Sequence, residues 1–417
     1  MNHISRLISM RMVNGLLQLI KKIVPKTLKD KFYFTRWYRY YTQHYTRGQA
    51  SLDRIVQITE SLEGLSFGEY LKQTAPIGDR TKPIPVPREI VLEINNTCNI
   101  DCAMCRTSLS SRPKGLMDPD LFDSITDKLS SLRINISSLH TIGEPLANKN
   151  LAEYLRILRK KKLFVGFLSS NFLLGEKQLD TIFEFRDVIV SIRPSIDAAS
   201  KSTYEKIRCG GKWEQLQRSL LAFSRRNAAS SSPFPVSVHS IVSKDNFHEL
   251  AFIPLVFSYL TSPENFSFGF INSLAPQNEY FLGKNYLDDF SLNMPCHQLW
   301  GGFHILRDGS ISACCRDYHG ELVFGTVHED LEQAYNNSIL ENMRKASFEG
   351  LQKDLPPACN TCFLVDPRLS DLLNAIFRYF FLIVRKHPAY LQNALHDIGK
   401  SMKTKDFRSI VAIVQSL

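Results

Sequence analysis

Six short runs of apolar and β-branched residues, Ile90–Ile94, Ser137–Ile142, Phe164–Ser169, Val188–Ile192, Pro235–Val242 and Phe266–Ile271, alternate with helical stretches through the middle of the chain. That alternation narrows the fold more than any other feature. Strands separated by helices pair in parallel, because each crossover returns the chain to the same end of the sheet and the helix covers its face. The expected class is α/β. Six units are fewer than the eight that close a full barrel, so the pattern predicts a partial (β/α)6 TIM-like barrel.

Proline sets the boundary before this region. Pro76, Pro83, Pro85 and Pro87 make residues 76–88 unfit for helix or central strand. Past Tyr280 the alternation gives way to short segments punctuated by cysteine up to Cys362, and the remainder reads as helix. The expected organisation is a helical N-terminal extension over 1–85, a barrel over 86–285, a small α+β module over 290–365 and a helical tail over 366–417. A chain of 417 residues accommodates two or three such domains without disulfide staples.

Charge is confined to one end. Residues 1–50 hold ten Lys/Arg against Asp30 alone, whereas the rest of the chain holds 41 Lys/Arg against 40 Asp/Glu. The body therefore has no electrostatic claim on nucleic acid. Leu7, Met10, Val13, Leu17, Ile20 and Val24 recur at helical spacing beside Lys/Arg, and Phe32–Tyr45 mixes eight aromatic rings with Arg36 and Arg39. Such a segment suits peripheral association with a membrane surface or a helical hairpin docked on the next domain ahead of nucleic-acid binding, and no nucleic-acid partner is expected. No apolar run is long enough to span a bilayer, the best candidate at Leu372–Val384 being broken by Arg378. Arg6 and Arg11 interrupt any signal-peptide core. The expected location is the cytoplasm, where nine cysteines are read first as metal ligands or catalytic groups.

Three of those cysteines stand immediately after the first expected strand: Cys98-Asn-Ile-Asp-Cys102-Ala-Met-Cys105. Three thiolates in one loop can bind three corners of a cubane iron–sulfur cluster and leave the fourth iron open for chemistry. The end of a barrel strand is where such folds carry active sites. A second set comprises Cys296, Cys314 with Cys315 adjacent, and Cys359-Asn-Thr-Cys362. Four of these thiolates would complete either a second cluster or a structural zinc site. Asp308-Gly309 reads as a hairpin turn between Phe303–Leu306 and Ser310–Ala313. Cys209 has no partner nearby.

The first cysteine run resembles the signature of the radical S-adenosylmethionine (SAM) superfamily, and further matches follow at successive strand ends. Gly143-Glu144-Pro145 is similar to the family's Gly-Gly-Glu-Pro turn, with Ile142 in place of the first glycine. Ser170-Asn171 is similar to Thr-Asn-Gly, with Phe172 in place of the glycine. Ser195-Ile196-Asp197 and Tyr204–Gly211 resemble the Ser-x-Asp and Tyr-x3-Arg-x-Gly-Gly stretches. The resemblance implies that Cys98, Cys102 and Cys105 hold a 4Fe-4S cluster whose open iron chelates SAM, and that reductive cleavage yields a 5′-deoxyadenosyl radical. It further implies that Gly143, Glu144 and Pro145 receive the SAM amino group, Ser170 and Asn171 the ribose, Ser195, Asp197 and Arg208 the ribose or carboxylate, and Met104 the adenine.

The Cys-x12-Gly-x4-Cys spacing from Cys296 through Gly309 to Cys314, closed by Cys359-x2-Cys362, resembles the auxiliary-cluster domain of the SPASM and shorter twitch types. No cysteine follows Cys362, so one auxiliary 4Fe-4S cluster is expected, with Cys314 preferred to Cys315 as ligand. Sulfatase maturases have an Asp base directly after the Gly-x4-Cys cysteine. Here that position is Cys315, and Asp317 two residues on is the candidate base. The resemblance implies an oxidoreductase or epimerase acting on a sugar, cyclitol or lipid-linked glycan before a peptide, supplied with electrons by a flavodoxin- or ferredoxin-type donor. A maturase of a ribosomally made peptide and a non-catalytic iron–sulfur scaffold at the membrane are the competing readings.

Overall fold

We describe a computed structural model of the chain over residues 52–66, 69, 83–105, 107–272, 278–287, 291–292, 295–360, 362–383 and 388–417. The basic, aromatic stretch read between residues 4 and 45 lies outside the described residues.

All six expected strands form: β1 (Glu89–Leu92), β2 (Asn135–Ser138), β3 (Val165–Ser170), β4 (Ile189–Pro194), β5 (Val238–Val242) and β6 (Phe266–Phe270). β1 to β4 pair in parallel in sequence order, as do β5 and β6. Parallel bridges Ile192↔Val236 and Ser195↔His239 carry the order across from β4 to β5. The result is an open, partial TIM-like barrel, and no closure joins β6 to β1 among the described residues.

Helices cover the outer face. Pro119–Leu132 begins where the Asp118 carboxylate accepts the Asp120 and Leu121 amides and Pro119 occupies a position that needs no donor. Phe122, Ile125 and Leu129 then recur at helical spacing and are buried. The second strand ends earlier than its apolar run suggested. Leu139 and Ile142 are buried in the loop after Ser138, so their hydrophobicity records loop packing and not pairing.

Both edges of the open sheet are covered, which an exposed row of peptide groups requires. At β6, the helix Pro367–Ile383 lays Asn374 against the strand, its amide accepting from Phe268 N (2.7 Å) and donating to Phe268 O (3.0 Å), while Phe377 stacks on Phe268 at 4.3 Å. The helices Pro388–Lys403 and Phe407–Gln415 follow, and Leu52–Gly64 packs with this C-terminal group. Arg368 ties the two ends of the chain, donating to Ser61 O (2.7 Å) and Leu65 O (3.1 Å). At β1, the strand β8 (His304–Ile305) adds in parallel, and β9 (Ser310–Ser312) and β10 (Val323–Thr326) continue antiparallel. β7 (Ser291–Leu292) and β11 (Phe363–Leu364) form a separate antiparallel pair. The expected β8–β9 hairpin turns on Gly309, whose φ of 85° suits glycine. The cysteine-rich module is thus an extension of the barrel sheet itself.

Candidate active site

The loop leaving β1 carries Cys98, Cys102 and Cys105 to the carboxyl ends of the strands, where all three line one cavity of about 420 Å³. Its shape is fixed by backbone hydrogen bonds from behind: Asp101 N donates to Cys209 O and Ala103 N to Ile207 O, each at 3.0 Å. Those acceptors belong to the Tyr204–Gly211 stretch, where Gly210 takes a φ of 88°. Burial pushes the Cys98 thiol up to about 11 and the Cys102 thiol up to about 12. Ligation to cationic iron is the interaction that stabilises such thiolates. Mutual repulsion among the three thiols adds to the shift, which marks their proximity. The trio fits a cluster with one open iron.

The other motifs are sewn to this loop. Glu144 N donates to Thr97 O (2.9 Å), and a side chain on Gly143 would collide with the Asn95 carbonyl. Pro145 opens a short buried turn behind them. The buried Glu144 carboxylate accepts from Asn171 N (2.8 Å) and Leu146 N (3.0 Å), although burial still raises its proton affinity. Asn171 turns its amide onto Asn99 Oδ1 (2.7 Å) beside Cys98. Ser170 Oγ accepts Phe172 N at 2.9 Å, and Phe172 adopts a φ of 59°. The sequence replaces the family's glycine there, yet the chain keeps the left-handed conformation. Ile142, at the other replaced glycine, has no positive φ.

Arg208 Nε donates to Asp197 at 2.5 Å and its Nη1 lies 3.6 Å from Cys102 Sγ. Burial works against the guanidinium charge, but Asp197 and Cys102 outweigh it and raise its proton affinity further. Asp197 also accepts Ile241 N at 2.7 Å and is wholly buried, so it anchors Arg208. Met104, Ser170, Ser195 and Arg208 line the cavity with the cysteines.

Asp317 does not join them. Its carboxylate accepts from Gly320 N (2.9 Å), Glu321 N (2.8 Å), Ser312 Oγ (2.8 Å) and Leu322 N (3.0 Å). Four donors occupy its lone pairs, and it is absent from the described cavity lining. The structure places it as the anchor of its loop. The cavity instead receives His140, Arg193, His239 and Arg316, which the sequence reading passed over. Arg193 lies 3.7 Å over the Phe167 ring, and His239 Nδ1 meets Ser267 Oγ at 2.9 Å. Burial, reinforced by Arg193, lowers both His140 and His239 to about 4, so each imidazole is neutral at pH 7. A charged residue directly after the apolar fourth run and histidines within the second and fifth were the available signals.

Cys296, Cys314, Cys315 and Cys362 gather round the half-buried Arg316, and Cys359 interacts with Cys296 and Cys362. Burial raises the thiols of Cys296, Cys359 and Cys362, the Cys359 thiol to about 12. Cys315 sits between Cys314 and His304. Among the described residues no three His, Cys, Asp or Glu side chains are close enough to grip one metal ion.

A family model described as the radical SAM superfamily matches residues 92–242. The chain belongs to the radical SAM superfamily. A second model, described as an iron–sulfur cluster-binding (SPASM) domain, matches residues 296–363. The two domains imply as cofactors a SAM-binding 4Fe-4S cluster, auxiliary iron–sulfur and SAM.

Among curated relatives, the chain is 25% identical over 164 residues to the tungsten-containing aldehyde ferredoxin oxidoreductase cofactor-modifying protein of Pyrococcus furiosus, covering 39% of this chain and 45% of that one. It is 25% identical over 182 residues to the PqqA peptide cyclase of Gluconobacter oxydans, covering 43% and 47%. The chain thus spans about half the length of the curated relatives it matches. SuiB of Streptococcus suis, solved bound to S-adenosylmethionine, superimposes with a TM-score of 0.47 at 15% identity over 62% of this chain and 68% of that one.

Proposed function

We propose that this radical SAM protein oxidises or epimerises a hydroxyl-bearing carbon of a small sugar, cyclitol or lipid-linked glycan. The observation that carries the reading is the rest of the cavity lining, where His140, Arg193, His239 and Asn272 offer polar groups to a molecule rich in oxygen. In this reading Cys98, Cys102 and Cys105 ligate the SAM-binding cluster, and Glu144, Asn171, Ser195 and Arg208 hold SAM beside it. Cys296, Cys314, Cys359 and Cys362 ligate a single auxiliary 4Fe-4S cluster. When bound, SAM and its cluster supply the one-electron cleavage that yields a species able to take a hydrogen atom from carbon. For the oxidation, a neutral imidazole, His140 or His239, would take the hydroxyl proton, and a cluster held by the second cysteine set would supply the acceptor for the second electron. Arg193 and Arg316 orient the substrate oxygens.

The reading includes an external flavodoxin- or ferredoxin-type reductant and a visit by the basic residues 1–50 to an anionic membrane surface; no helix among the described residues is long and apolar enough to cross a membrane. Peptide maturation is the second reading, favoured by the match to a protein named PqqA peptide cyclase. The test is anaerobic reconstitution with iron and sulfide, then incubation with SAM, reductant and sugars or cyclitols deuterated at their carbinol carbons. Deuterium carried into 5′-deoxyadenosine supports the proposal. Deoxyadenosine formed in the presence of peptides and of no polyol overturns it.

A further inference from the structure

The loop that carries Cys314 and Cys315 ends in Tyr318, and its phenol reaches the other cysteine set: Tyr318 Oη lies 3.0 Å from Cys105 Sγ. The ring is buried. Its backbone is fixed by the same segment that bears Cys105, since Tyr318 O accepts from Ser110 Oγ (2.5 Å) and Arg112 Nε (3.4 Å). Arg112 is itself clamped by two hydrogen bonds, 2.7 and 2.9 Å, to the buried Glu93 at the end of β1. The phenol is therefore held in place from the barrel side, while its chain belongs to the auxiliary module.

A thiolate ligand has no proton to give, so in the loaded protein the phenol must be the donor of this pair. A hydrogen bond to a cluster sulfur stabilises the more negative, reduced state and raises the reduction potential. From the juxtaposition of Tyr318 and Cys105 we infer that Tyr318 is a positioning residue that sets the reduction potential of the SAM-binding cluster from within the auxiliary module. This rests on the assignment of Cys105 as a ligand of that cluster. The consequence is functional: the ease with which the reductant loads the first cluster depends on the loop that carries Cys314 and Cys315. Arg208, 3.6 Å from Cys102, acts on the same cluster from the opposite module.

The experiment is a potentiometric titration of the full chain, reconstituted with iron and sulfide, followed by electron paramagnetic resonance in the presence of SAM. Tyr318→Phe removes the donor and keeps the ring. Its SAM-binding cluster should become harder to reduce by about tenfold in the reduced-to-oxidised ratio at fixed potential, about 59 mV for one electron, with iron content unchanged. Where Tyr318→Phe loses the cluster, 3,5-difluorotyrosine placed at 318 decides, because a more acidic phenol donates more strongly and should move the potential upward. An unmoved potential in the variant that retains iron overturns the inference. A Cys105→Ala variant that retains the SAM-dependent signal would instead refute the ligand assignment, so the two failures are told apart.

Discussion

Phe172 offers a test in which two opposed effects are separable. Its backbone sits at φ 59°, a conformation that costs a residue with a Cβ about 1–2 kcal/mol. The side chain offsets this by burying its ring completely, edge-on to Phe223 at 5.3 Å. Truncating a buried Phe costs about 3–5 kcal/mol. Phe172→Ala loses the ring and keeps the backbone strain, so it bears the full cost. Phe172→Gly loses the same ring and sheds most of the strain, which leaves a net loss of about 2–3 kcal/mol. The glycine variant should therefore be more stable than the alanine variant by about 1 kcal/mol, the reverse of their usual order within regular structure. Anaerobic urea unfolding of the reconstituted protein, with slopes checked for equality before midpoints are compared, measures the difference. Equal stability, or alanine ahead of glycine, would refute the claim that the chain strains its backbone here to keep a ring in the core.

Three further outcomes follow from the same geometry. Glu93→Gln leaves the buried Arg112 guanidinium without its anionic partner and also weakens the bond from Thr141; a loss of about 3–5 kcal/mol is expected in chemical unfolding, and a loss below 1 kcal/mol would sink the view of Glu93 as a hub. Cys314→Ser should lose the auxiliary iron in an iron count, whereas Cys315→Ser keeps it; the opposite pattern moves the ligand to Cys315. His140 and His239 have folded-state affinities lowered to about 4. The unfolded chain therefore binds more protons than the native one between about pH 6.5 and 4. Stability contributed by these histidines is present above pH 6.5 and is lost on acidification, by up to about 3 kcal/mol each. Replacing both with Asn should flatten that part of the melting curve against pH, and an unchanged slope would contradict their neutral burial.

The parts legible in the sequence were those that repeat or that chemistry forces into a fixed spacing. Six strands were readable because short runs with alternately buried positions stand between helical stretches, and Cys98, Cys102 and Cys105 because they share one loop at a spacing that three ligands can use. What escaped depended on contacts distant in sequence. His140 sits in a run that read as strand, and its loop follows from turns at Gly143 and Pro145 that must meet Asn95 and Thr97. Asp317 had the right residue type near the right cysteine. The amides of Gly320, Glu321 and Leu322 fold back onto it, and that turn carries no signature in the surrounding residues. The helical tail read as an appendage because nothing in its own sequence says that Asn374 completes the edge of β6.

The junction of barrel and auxiliary module carries the larger consequence. β8 pairs in parallel with β1, the strand whose end launches the first cysteine loop. Arg307, just past β8, donates its amide to Glu93 at 3.3 Å and its side chain to Pro113 O. Tyr318 then closes on Cys105. Sheet pairing, the Arg307 hydrogen bonds to Glu93 and Pro113, and the Tyr318 contact to Cys105 therefore all span the same seam. A hinge between the two modules would have to break the parallel pairing and the hydrogen bonds that Arg307 and Tyr318 make to Glu93, Pro113, Ser110 and Arg112, leaving buried polar groups unpaired at a cost of about 1–3 kcal/mol each. The two cysteine sets are accordingly fixed in separation by the fold, with Arg316 between them, facing the cavity on one side and the second set on the other. Electron transfer between such sites can vary with their potentials and with substrate binding, while the distance stays constant. Under the proposed function, control of the reaction falls to groups that touch the sulfurs, and at this seam the inferred group is Tyr318 beside Cys105.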